Sequence, residues 1–165
     1  MIPFASGTPV ALTNVLLGLT ATGGLIGFGS SIDGVTIGGG TITLSPGTGG
    51  ILDFAFVVPR DGTVSSISAF FSTTVAATIG TPVTIRAELY RAPAASNTFS
   101  PSGAFVLLSP ALGPIINLLD VSSGTASTTL QVATGEKLLL VFSIDTDVSV
   151  LTTVVGFASA GIAID

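Results

Sequence analysis

The chain has 165 residues, 47% of them hydrophobic and only 8% charged, with a net charge of −5 and neither Cys nor His. That composition removes disulfides, thiol nucleophiles, cysteine-ligated metals and any Ser-His-Asp or Cys-His catalytic site within the chain. Four Lys and Arg in total cannot build the basic footprint that nucleic acid or an anionic membrane surface requires.

Residues 1–32 carry no charged side chain, but Pro3, Pro9, Asn14 and the Gly23-Gly24 pair interrupt them too often for a membrane helix. Met1-Ile2-Pro3 lacks the basic start of a signal peptide. Residues 9–19 set Val10, Thr13, Leu16 and Leu17 near helical spacing, with Gly18 as a stop, and predict the one helix. From there the pattern is β. Short strands are predicted at 25–32 and 41–44 around a Gly38-Gly39-Gly40 loop, and at 54–58 up to Pro59. Arg60-Asp61-Gly62 supplies a hairpin turn. Residues 63–74 follow, with Val64, Ile67 and Phe70-Phe71 alternating imperfectly, the mark of a bulge or of two buried faces.

Residues 83–91 alternate cleanly. Val83, Ile85, Ala87, Leu89 and Arg91 face one way; Thr84, Arg86, Glu88 and Tyr90 face the other. Pro93, Pro101, Pro110 and Pro114 make 92–114 a long loop with one short strand at 105–108. Strands at 127–132 and 138–144 flank a hairpin connection at 133–137, and 148–164 supplies the last one or two. The Val, Thr and Gly of 148–164 favour strand over membrane helix. Closely spaced strands without interleaved helices predict a single all-β domain over 1–165, an antiparallel β-sandwich of the jelly-roll kind.

Several segments carry a family resemblance. They are Ile2-Pro3-Phe4-Ala5-Ser6-Gly7, Ile26-Gly27-Phe28-Gly29, Phe54-Ala55-Phe56 with Pro59-Arg60-Asp61-Gly62-Thr63, and Ala69-Phe70-Phe71-Ser72. Ala92-Pro93-Ala94-Ala95-Ser96-Asn97-Thr98-Phe99, Leu138-Leu139-Leu140-Val141-Phe142-Ser143 and Val155-Gly156-Phe157-Ala158-Ser159-Ala160-Gly161-Ile162 complete the series. In this order the chain resembles the BclB-type C-terminal domain of exosporium glycoproteins, filaments on the surface of bacterial spores with a collagen-like stalk and a globular head. It departs from them in having no Gly-X-Y tract. Phe54, Pro59 and Gly62, with Leu130-Gln131-Val132 and Gly135-Glu136-Lys137-Leu138, are more faintly similar to the trimeric jelly-roll heads of complement and tumour-necrosis-factor-like proteins.

The resemblance implies an extracellular, spore-surface, non-enzymatic head that forms a homotrimer and nucleates a stalk. Other exosporium proteins or a host-surface ligand are the further partners it allows. A threefold contact would also account for the scarcity of charge, since obligate interfaces are large and apolar. Jelly-roll topology places the first and last strands in that contact, with Phe4, Phe157, Ile162 and Ile164 as interface residues. No cofactor, metal, nucleic acid or membrane partner is expected.

Rival readings attach to particular residues. Arg86, Glu88 and Tyr90 could form a polar patch for a glycan or host protein, the adhesive-module alternative; cross-strand pairing is the simpler account. Asp145 and Asp147 would, on a strand, lie at a spacing that suits calcium ligation or acid-base glycan hydrolysis without singling either out; a solvated loop after the 138–144 strand is the simpler account. Arg60-Asp61-Gly62 reads as a turn rather than a recognition loop. Most of the ten Phe belong to the core.

Overall fold

The computed structural model describes residues 1–14, 21–37, 40–44, 54–145 and 151–165. Among these residues the chain is all-β, antiparallel and without a helix. The strands in chain order are β1 (Ile2–Ala5), β2 (Val10–Asn14), β3 (Thr22–Ile26), β4 (Ser31–Thr36), β5 (Ile42–Thr43), β6 (Phe56–Val57) and β7 (Gly62–Thr73). They continue with β8 (Ala77–Thr78), β9 (Ile85–Ala92), β10 (Thr98–Leu107), β11 (Ile115–Ile116), β12 (Val121–Val132), β13 (Lys137–Ile144) and β14 (Thr152–Ile164).

Pairing is nested. β1 pairs β14, β6 pairs β13, β7 pairs β12 and β9 pairs β10. One layer runs β12-β7-β14 with β1 and β2 sharing the far side of β14; the other runs β3-β13-β9-β10. The layers face each other across a core, the arrangement expected of a β-sandwich. Val64, Ile67 and Phe71 of β7 and Val154, Ala158 and Ile162 of β14 meet Ile85, Ala87 and Leu89 of β9 and Leu138, Leu140 and Phe142 of β13. The Phe71 and Phe142 rings lie 6.4 Å apart between the layers. Both seams are stitched. Thr13 of β2 sits opposite Thr22 of β3, and Ser109 and Ser123 exchange backbone hydrogen bonds of 2.9 and 3.0 Å. Among the described residues each seam is bridged at one residue pair.

β13 is buried along both faces. Its inward residues join the main core, while Leu139 and Val141 join Tyr90, Leu25, Phe54 and Phe99 in a second apolar cluster behind the sheet. That double burial explains the unbroken Leu138–Ile144 run, which has no polar alternate until Ser143.

Several expectations change. The helix predicted over 9–19 is strand β2 at 10–14, where Val10, Leu12 and Asn14 are buried in alternation; its remaining residues 15–19 lie outside the described residues. Period two wins because this strand completes the sheet beside β14. The 25–32 strand is two strands, split by a turn in which Gly29 has φ +89°. The 92–114 loop contains β10, ten residues long, because Pro101 sits beside a bulge where its missing N–H costs no regular ladder bond. Neither 60–62 nor 133–137 is a hairpin. β6 and β7 do not pair, nor do β12 and β13, so both turns carry the chain from one layer to the other.

Candidate functional site

Charge is distributed unevenly. β1, β2, β7, β12 and β14 contain no Asp, Glu, Lys or Arg. Their outward residues form rows across the sheet: Val121, Ser72 and Phe157; then Ser123, Phe70, Ser159 and Ala5; then Thr125, Ser68, Gly161 and Pro3. The face is therefore small, hydroxylated and uncharged, with two aromatic rings on it. Phe70 is 41% exposed and Phe157 45%. Within these rows Ser68 and Thr125 bond sideways to each other at 2.9 Å, and a hydroxyl satisfied in this way demands no water. A shallow depression of about 400 Å³ runs over Ser68, Phe70, Thr125, Ser159 and Gly161.

Of the four residues predicted for a contact between copies, the structure brings only part to that face. Phe4 and Ile162 fill the chain's own core and present no surface. They point inward because β1 and β14 alternate, and Phe4 is further covered by the stacked ring of Phe28 at 5.2 Å. Ile164 is partly buried against the main core, and Phe157 stands out from the sheet. Phe70 stands out from the same face, and the sequence held the signal for it: in a strand, adjacent Phe70 and Phe71 must point to opposite faces.

The opposite layer carries the ion pairs. Arg86 donates Nε–H to Glu88 at 2.9 Å and an Nη1–H to Asp145 at 3.1 Å, with its guanidinium 3.6 Å above the Phe105 ring. Arg86 is desolvated by burial, but its two carboxylate partners outweigh this and raise its pKa. The Tyr90 phenol is pushed up by burial and then by the Glu88 charge, and its ring lies in the second apolar cluster. Arg86 and Glu88 thus pair along one strand rather than across two, while Tyr90 serves packing. Asp145 is committed to Arg86, and Asp147 lies outside the described residues. Among the described residues no three acidic side chains converge as a metal would need.

One end of the sandwich holds residues 2 and 165 together with the 60–62 and 133–136 turns. Asp61 accepts from the Thr134 amide at 2.7 Å and hydroxyl at 2.8 Å, which holds its carboxyl below the ordinary aspartate range. Glu136 accepts from Arg91 and from the Ala133 amide. These bonds splint the two layer-crossing turns side by side.

The other end is apolar. Ile115, Leu118 and Leu119 are 67%, 61% and 70% exposed. Their loop is fastened to fully buried Thr73, whose amide and hydroxyl donate to the Asp120 carbonyl, whose hydroxyl also donates to Asn117 O, and whose carbonyl accepts from Leu119 N. Asp120 turns its carboxylate back onto the Asn117 amide at 2.7 Å. Leu119 has φ +67°, in a turn position that ordinarily takes Gly or Asn. A bulky residue held there stores about 1–3 kcal/mol of backbone strain, which the surrounding bonds must hold. The sequence reading passed over this tip because apolar residues among prolines carry no period.

Among the described residues no helix is long and apolar enough to cross a membrane. Comparison with protein-family models gives no match, and comparison with curated proteins gives none.

Proposed function

We propose that the chain is a non-enzymatic assembly head, a jelly roll that forms a homotrimer through its uncharged sheet face. The carrying observation is that face: five strands without one ionisable side chain, bearing exposed Phe70 and Phe157. A solvated monomer gains nothing by excluding charge from an entire layer, whereas a contact between copies does, because buried unpaired charge is costly. Nested pairing of first strand with last supports the jelly-roll reading. Phe105 and Leu107 on β10, exposed beside the paired Arg86 and Glu88 of β9, supply a different patch for the face to meet. Two unlike patches suit a head-to-tail ring rather than a twofold pair.

In this reading the head registers the three chains of a collagen-like stalk at the spore surface, as the resemblance to BclB-type domains implies. The contact residues are Val121, Phe70 and Phe157 rather than Phe4 and Ile162. Light scattering on a sizing column tests it. The expected mass is three times 16.3 kDa, retained on dilution. Phe157→Glu is expected to reduce it to one chain with the fold intact. A wild-type monomer at micromolar concentration overturns the reading.

A further inference from the structure

We propose that the tip at residues 115–120 docks on an uncharged, zwitterionic lipid surface, with Ile115, Leu118 and Leu119 as the inserting side chains. This goes beyond assembly and does not rest on it. Three large aliphatic side chains protrude from one short loop, each more than 60% exposed. The loop is tied down by the buried Thr73 bonds, so little conformational freedom remains to be lost on binding. Leu119 keeps a backbone conformation that favours Gly or Asn, and in doing so holds its side chain out in solvent.

The occupant follows from charge and area. The only ionisable group in the tip is Asp120, already turned onto Asn117, and the chain is acidic overall. An anionic surface is therefore repelled, and no countercharge exists for one to seek. A second copy or another protein would need about 800 Å² per partner, which one loop of three aliphatic side chains does not supply. Leu is moreover under-represented among residues that anchor protein contacts. A bilayer requires neither shape complementarity nor countercharge; it needs only apolar side chains that can sink several ångströms into it. The location fits. β7 spans Gly62–Thr73, so the tip stands about 36 Å from the end that holds residues 2 and 165.

Sedimentation with phosphatidylcholine vesicles tests this on the full chain. The wild type is expected to cosediment, with high salt having little effect and added phosphatidylserine no benefit. Each aliphatic moved from water into an apolar medium changes partitioning roughly ten- to a hundredfold. Leu118→Ser is therefore expected to weaken binding at least about tenfold, and a Leu118→Ser/Leu119→Ser double variant to abolish it. Ile115→Ser repeats the test away from the strained turn. Val57→Ser, at an exposed site toward the opposite end, is expected to change nothing. The proposal is overturned if wild type stays in the supernatant at saturating phosphatidylcholine, if it binds only anionic vesicles, or if the double variant binds as well as wild type. It is equally overturned if the tip variants lower the solution mass without affecting vesicle binding, since the tip is then a contact between copies. The assembly proposal fails separately, by a wild-type monomer.

Discussion

Gly156→Ala probes whether β14 and β7 pack as closely as described. A Cβ at 156 would lie 2.3 Å from the Ser72 carbonyl oxygen and 2.7 Å from Cε1 of Phe71. The Phe71 ring is fully buried against Phe142, so it cannot swing away, and the carbonyl belongs to a paired strand. The strands must part locally. Overpacking of this kind costs about 1–3 kcal/mol, and loosening one ladder hydrogen bond about 1 more. Reduced freedom of the unfolded chain returns about 0.4–1 kcal/mol. The net loss is about 1–3.5 kcal/mol, or about 2–14 °C in melting temperature for a domain of this size. Calorimetry measures it, and denaturant unfolding should show a lower midpoint at unchanged slope. Gly161→Ala is the internal control, on the same strand with nothing within 4 Å of the added carbon. It is expected to be neutral or slightly stabilising. Equal stability of Gly156→Ala and wild type, or equal damage from the two substitutions, would refute the packing described.

Three further outcomes follow from the same geometry. Leu119→Asn releases the positive-φ strain and should raise the melting temperature by about 2–4 °C; a lower value on calorimetry contradicts that account of the turn. Arg86→Met leaves Glu88, 7% exposed, without its cation and should cost about 1–3 kcal/mol in chemical denaturation. Adding Glu88→Gln should restore part of that loss, and a double variant no better than the single would show that the charge is not the cause. Because the Asp61 pKa is lowered on folding, its contribution to stability is full above the ordinary aspartate range and fades as pH falls through the folded value. Melting scans from about pH 4 downward should accordingly fall less steeply for Asp61→Asn than for wild type.

The sequence made the strand-rich architecture legible wherever apolar and polar residues alternate. Ile85, Ala87 and Leu89 alternate with Arg86 and Glu88, and the structure keeps the first set in the main core and pairs the second outside it, with Glu88 itself buried. It was less legible where burial is two-sided or local. Val10 and Thr13 fall at helical spacing by coincidence, and only pairing with β14 shows that Val10 and Leu12 obey period two. The turns at 60–62 and 133–137 have the residues of hairpins, but turn chemistry fixes a reversal, not the layer to which the next strand belongs. At the candidate face, the absence of charge was visible while its concentration on one layer was not, because β7, β12 and β14 are remote in sequence. The burial of Phe4 and Ile162 in the chain's own core was not legible for want of a phase: a strand's alternation says that two faces differ, not which faces the core. Nothing local marks Leu119 for a left-handed backbone, since the bonds that impose it come from Thr73.

The nested pairing also constrains how the chain reaches this state. β14 is the shared neighbour of β1, β2 and β7, so a nascent chain can complete the first strands' ladders only after β14 has left the ribosome. Until then β7 and β12, hydroxyl-rich and uncharged, are the exposed pair, and contacts of such long sequence separation close slowly. Hydroxyls and small side chains on their outer face are poorer templates for sticky collapse than the Val- and Leu-rich strands of the other layer. The same surface that would receive another copy once folded is thus mild enough to wait uncovered during synthesis, and any ordering of chains into a larger assembly must come after β14 is in place.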